Sequence, residues 1–151
     1  MSLLDTDHIW GVGGNAAWVW KSFLRGHNPI FMDPYHGVVL GRDRGWEPIR
    51  AAMGHTRRLA ERVNLAAMRP LNELATTGYC LADPGREYLV YQPRVGASFT
   101  VRLDAGSYRY EWFSPEQGKP SGTGPVEATG AAHPFKPPFE GDAVLHLKAV
   151  R

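Results

Sequence analysis

Cysteine is almost absent: Cys80 is the single one in 151 residues, and this excludes an internal disulfide framework. Its setting, Thr77-Gly78-Tyr79-Cys80-Leu81, reads as a strand, so a buried thiol packing as a small hydrophobe is expected. A nucleophilic cysteine would want a base and an electropositive setting, and nothing in the sequence argues for either. Long hydrophobic runs are missing too. No stretch approaches the roughly 20 apolar residues needed to span a bilayer, and the N-terminus lacks the basic region and apolar core of a signal peptide. Nor is there an excess of one charge: 17 Lys and Arg stand against 15 Asp and Glu, a formal net charge of +2. That bias is too weak to point to nucleic acid or an anionic membrane. Arg57-Arg58 is a local doublet on a predicted helix and reads as a solvated face. The six histidines, His8, His27, His36, His55, His133 and His146, show none of the close, paired spacing of a zinc site. Gly11-Val12-Gly13-Gly14 lacks the third glycine of a dinucleotide fingerprint and the Lys-Ser/Thr of a phosphate loop. No motif calls for a metal or cofactor.

What the sequence does hold divides near residues 64–75. Before that point strand and helix patterns alternate. Leu3-Leu4-Asp5 reads as the end of a buried strand, and Asn15 as the N-cap of a helix over Ala16–Leu24, stopped by Gly26. Asn28 to Asp33 is a second short strand, turned away by Asp33-Pro34-Tyr35. Trp46 to Val63 is the clearest helix, with Trp46, Ile49, Met53, Ala60 and Val63 recurring at helical spacing. After the division no helix pattern survives. Candidate strands are Ala75–Leu81, Glu87–Gln92, Ser98–Leu103, Ser107–Phe113, Val126–Thr129 and Ala143–Lys148, separated by turn signals. The Gly/Pro-rich stretch from Gly118 to Pro125 reads as a long hairpin loop, and Phe135 to Phe139 as packing for the last crossover.

Strand, helix, strand, helix is an α/β-barrel or doubly wound pattern. Two such units cannot close a barrel, which takes about 250 residues. The expected architecture is α/β plus all-β: over residues 1–66 the last βαβα units of a (β/α)8 barrel or part of a doubly wound sheet, completed by chain missing upstream or by another subunit, then an antiparallel β-sandwich over 67–151. Strands left unpaired in the first part would expose edges and apolar faces, so self-association through them is expected.

The chemistry-bearing residues crowd at the predicted strand ends. Asp5-Thr6-Asp7-His8-Ile9-Trp10-Gly11 sets two carboxylates, an imidazole and an indole within six residues. Residues two apart on a strand point to one side, so Asp5 and Asp7 could both face the open end of a barrel. Glycoside hydrolysis needs two carboxyl groups flanking the scissile bond, about 5–5.5 Å apart in retaining enzymes and wider in inverting ones. Asp5, Asp7 and His8 are the candidate catalytic residues. Trp10, Asp33 and Tyr35 are candidate substrate contacts, with Asp33 also a third available carboxylate. The competing reading has Asp5 capping a turn and Asp7 pairing with an arginine. In the second part, Tyr108, Tyr110 and Trp112 share one face of a strand. A solvent-facing row would make a binding strip for carbohydrate or protein, and a buried row would be core.

Asp5 to Gly11, then Trp18-Val19-Trp20-Lys21-Ser22-Phe23-Leu24-Arg25-Gly26, then Asn28-Pro29-Ile30-Phe31-Met32-Asp33-Pro34-Tyr35 resemble the C-terminal end of apiosidase-like glycoside hydrolase barrels. Leu74 to Leu81 with Glu87-Tyr88-Leu89-Val90-Tyr91 is similar to the β-sandwich appended to them, a family labelled as the collagen-binding domain of a collagenase. The resemblance implies barrel strands seven and eight followed by an accessory sandwich, in a parent that is secreted or on the cell surface. It implies a catalytic carboxylate at the strand-seven tip, here Asp5-Thr6-Asp7-His8, where many relatives carry glutamate. It places the acid/base partner near strand four, outside this chain, so that the chain alone is inactive. The implied partner is a polysaccharide or glycoside. An extracellular protein ligand such as collagen is the alternative, with the sandwich acting as a non-catalytic binding module; nucleic acid and membrane are not expected.

Overall fold

The computed structural model describes residues 2–5, 14–31 and 46–150. Among them the chain is a mixed α/β structure with two helices, dominated by antiparallel sheet. The elements run β1 (Ser2–Asp5), α1 (Ala16–Leu24), β2 (His27–Ile30), α2 (Glu47–Ala60), β3 (Arg69–Pro70), β4 (Cys80–Asp83), β5 (Glu87–Gln92), β6 (Phe99–Arg102), β7 (Gly106–Ser114), β8 (Lys119–Ala128), β9 (Ala132–Phe135) and β10 (Ala143–Ala149), with a single 3-10 turn at Asn72–Leu74.

The first α/β unit forms as its sequence dictates. Asn15 is extended, and its side chain accepts the Trp18 N–H at 2.8 Å, which satisfies one of the orphan donors that open α1. The helix buries Val19, Trp20, Phe23 and Leu24. It carries the chain back so that β1 and β2 lie parallel, Ser2 beside His27 and Asp5 beside Ile30. α2 opens with a proline in its first turn and buries Ile49, Ala52, Thr56 and Leu59. It ends at Ala60 instead of Val63, and turns occupy the next residues. The buried stripe is therefore centred between the positions that the apolar pattern picks out, and Met53 and Ala60 form its half-buried flank.

The six-stranded sheet has the order β3-β4-β5-β10-β7-β8. Every residue of β5 is buried, because both faces of this sheet are covered. On one face lie Cys80, Ala82, Tyr88, Val90, Tyr108, Trp112, Leu145 and Leu147, packed against Phe99, Val101 and Phe135 from the small β6–β9 sheet. This is the sandwich core. On the other face Leu81, Leu89, Tyr91 and Val144 form a second core with the buried residues of both helices and Met68. Trp20 is fully buried there, its ring 6.2 Å from Tyr91 and 5.8 Å from Phe113.

Three strand assignments from the sequence need correction. Ala75–Leu81 is not one strand: β4 begins at Cys80, Gly78 sits in a turn at φ +74°, and Ala75 makes only an isolated bridge to Val101. The Gly118–Pro125 stretch is not a loop but the first part of β8, which continues through Val126. β8 lies at an end of the sheet, where the missing donors of Pro120 and Pro125 break no second ladder. Phe135 lies in β9, a strand that the sequence pattern does not pick out. The Tyr108/Tyr110/Trp112 face is inside the sandwich: Tyr108 and Trp112 are buried and Tyr110 packs partly buried against the same core. It is therefore core and not a solvent-facing binding strip.

Candidate functional site

Of the six residues that the sequence nominates, Asp5 lies at the end of β1. Asp7, His8, Trp10, Asp33 and Tyr35 lie outside the described residues. The register of the parallel pair sets Asp5 directly beside Ile30, so both strands end side by side, two residues before Asp7 and three before Asp33. Both helices begin after those strand ends, and this is the end of an open α/β layer at which ligand sites form. The second strand is shorter than the sequence pattern suggests, ending at Ile30.

Between the first turns of the helices and the sandwich loops lies a largely apolar cleft of about 670 Å³, bordered by Ala17, Glu47, Val95, Glu116 and Asp142. The Tyr91 hydroxyl donates to Asp142 Oδ2 at 2.7 Å. Burial, aided by this bond to a carboxylate, holds the phenol above its ordinary range. Burial also raises the Asp142 carboxyl, and the Tyr91 hydrogen bond only partly offsets it.

A second polar group lies at the opposite end of the helix–sheet seam. Glu87 is 4% exposed. His146 Nε2 donates to its Oε1 at 2.8 Å, and the Asn64 N–H donates to its Oε2 at 3.0 Å. Arg62, just past α2, reaches Glu111 on β7 at 2.8 Å. A buried carboxylate needs hydrogen-bond partners, and these bonds give each oxygen a donor while tying the exit of α2 to the sheet. Sequence reading missed the group because Glu87 and His146 are 59 residues apart; the available signal was an acid and an imidazole on the same face of otherwise apolar strands. Cys80 is fully buried, and desolvation pushes its thiol up to about 12, as befits a packing residue. Among the described residues no helix is long and apolar enough to cross a membrane.

No family model and no curated protein matches this sequence. Solved structures do match its fold. One is a glycoside hydrolase, 15% identical, with a TM-score of 0.56 over 80% of this chain and 33% of that one. Another is a glycoside hydrolase family 5 protein from Bacteroides vulgatus, 16% identical, with a TM-score of 0.63 over 89% of this chain and 35% of that one. The chain thus has a glycoside hydrolase-like fold and spans about a third of the length of these structures.

Proposed function

We propose that this chain is the C-terminal part of a glycoside hydrolase-like protein acting on plant or microbial polysaccharide. Residues 1–66 are the last βαβα units of a (β/α)8 barrel, and residues 67–151 are a β-sandwich that braces them. The observation that carries this reading is the parallel β1–β2 pair with its ends at Asp5 and Ile30, in a chain whose fold resembles part of two glycoside hydrolases. Exposed apolar side chains on the same pair, Leu3 at 70% and Ile30 at 37%, support a sheet that continues into further strands or into a second copy of the chain.

In this reading Asp5 or Asp7 supplies one carboxylate, as nucleophile or base. His8 orients it or hydrogen-bonds a sugar hydroxyl, and Trp10, Asp33 and Tyr35 line the sugar subsite. The other carboxylate comes from a strand outside this chain, so the chain alone does not turn over glycosides. The sandwich serves as a brace, and burial of Tyr108 and Trp112 counts against a binding strip on that aromatic face.

The test is turnover of a polysaccharide panel by the chain alone and by the longer protein that carries it. Turnover by the longer protein, lost in Asp5→Asn or Asp7→Asn, is expected. Turnover by the isolated chain would contradict the missing-carboxylate argument, and an inactive longer protein would contradict the hydrolase reading.

A further inference from the structure

At the polar end of the helix–sheet seam two cations face each other across neighbouring strands. In the β10–β7 register Lys148 stands directly opposite Arg109. Such partners on one face have Cβ atoms about 4.5–5.5 Å apart, and like charges there repel. On the other side of Lys148 the register sets Glu87, but both Glu87 oxygens are engaged by His146 and Asn64. Glu111, the next acid along the same face of β7, is engaged by Arg62. Among the described residues neither Arg109 nor Lys148 has an ion-pair partner, and neither does Arg86 in the β4–β5 turn. Arg86 borders a cleft of about 690 Å³ whose wall also carries Glu61, Asp83 and Glu87, Arg109 borders an adjoining one of about 330 Å³ that also carries Glu111, and the two share Arg62, Lys148 and Ala149. Glu87 borders the larger cleft and His146 the smaller, and a hydrogen bond joins them.

We propose that this seam is a binding site for an acidic saccharide, with Lys148 and Arg109 together holding the carboxylate of a uronic acid residue. The proposal rests on the glycan reading above and names a ligand class for a site remote from the β1–β2 strand ends. A carboxylate between Lys148 and Arg109 converts their repulsion into two charge-assisted hydrogen bonds. Arg86 extends the positive rim toward a neighbouring acidic unit. Asp83 also borders the larger cleft. Its carboxylate suits a hydroxyl donor and repels a compact dianion, and this favours a hydroxyl-rich ligand with one charge per sugar unit over phosphate. His146 borders the smaller cleft and is held in one orientation by Glu87, so it offers a fixed polar contact to a sugar hydroxyl.

The experiment is calorimetric titration of the full chain at low salt with four probes: a galacturonate trimer, its neutral methyl ester, inorganic phosphate and a short polyglutamate. The acid trimer is expected to bind, the ester not, and phosphate and polyglutamate more weakly. Lys148→Gln and Arg109→Gln should each weaken trimer binding by about tenfold, the loss of one charge-assisted bond. Both side chains are exposed, so each variant should leave the melting temperature nearly unchanged. The proposal is overturned if the ester, phosphate or polyglutamate binds as tightly as the trimer, if the trimer does not bind, or if both variants bind it unchanged. Failure here alongside turnover of neutral glycans by the longer protein would leave the hydrolase reading intact. Trimer binding by the chain, with no turnover of the polysaccharide panel by the longer protein, would retire the hydrolase reading and support the site.

Discussion

The two faces of the six-stranded sheet are covered by different partners and finished to different degrees. On the sandwich face the aromatic groups interlock edge to face, Tyr88 with Tyr108 at 5.8 Å and Phe99 with Trp112 at 6.0 Å, a geometry that aromatic quadrupoles favour. The polar tips are satisfied: the Tyr88 hydroxyl accepts the Gly85 and Asp104 N–H groups, and the Tyr108 hydroxyl donates to the Asp104 carbonyl. On the helix face the packing is as deep, but Trp20 Nε1, Trp46 Nε1 and His55 Nδ1 are buried with no hydrogen-bond partner among the described residues. Each such group carries a desolvation cost that the sandwich face avoids. The helix layer is thus held by shape and area, with the Glu87 group as its polar clamp, whereas the sandwich is held by shape and by satisfied polar groups.

Removing the largest ring from each face breaks this comparison most sharply. Trp112→Ala and Trp20→Ala should each cost about 3–5 kcal/mol in urea unfolding. Trp112→Ala is expected to collapse a single cooperative transition. Trp20→Ala should split it, releasing α1 and α2 before the sheet. Identical single transitions for both variants would mean that the two faces are not energetically distinct.

The clamp comes next. Glu87→Ala leaves the Asn64 N–H and the His146 ring without their acceptor, and should cost about 1–3 kcal/mol, read as a lower urea midpoint. Adding Arg62→Ala should cost less than it does in the parent if both ties hold the same segment.

Gly118 tests how closely α2 approaches the β7–β8 turn. It has φ +65°, and a Cβ there would lie 2.5 Å from His55 Nε2. Gly118→Ala should destabilise by about 1–2 kcal/mol from backbone conformation and contact together. His55→Ala in the same chain should recover the contact part alone. No recovery would mean that the backbone accounts for the whole effect.

The smallest effect is pH dependence. Burial, and then the Arg58 charge, lower the His55 pKa below its ordinary 6.5. The unfolded chain therefore binds a proton that the folded chain resists, and the stability His55 allows at neutral pH declines as pH falls below 6.5 toward the lower folded value. His55→Gln should flatten the melting-temperature profile in that window. An unchanged profile would remove His55 from the account.

How legible these features were in the sequence follows from the range of the interactions behind them. α1 was legible to the residue because its cap, Asn15, and its stop at Gly26 are local. β5 was legible because Glu87 to Gln92 is bounded by turns. β8 was hidden because Gly and Pro argue against a strand until its place at the sheet edge is known. β9 was hidden in the same way, its Pro134 lying opposite Thr100 in a two-stranded pair. The Trp46–Val63 helix was found with its buried stripe misplaced, because Thr56 is polar yet buried, its hydroxyl donating to the Met53 carbonyl. At the candidate site the sequence named Asp5 at a strand end, and that is where the backbone puts it. The Glu87–His146 pair and the facing cations Arg109 and Lys148 come from strands far apart in the chain, and only the register brings them together.

The central claim is that both helices are cemented to the sandwich through one shared core. Native-state hydrogen exchange on the chain tests it most directly. The account predicts that amides of Val19–Leu24 and Ala52–Leu59 are protected nearly as strongly as those of β5 and β10, and that Trp20→Ala removes the helical protection alone. Helical amides that exchange freely in the parent chain, while β5 and β10 remain protected, would contradict it.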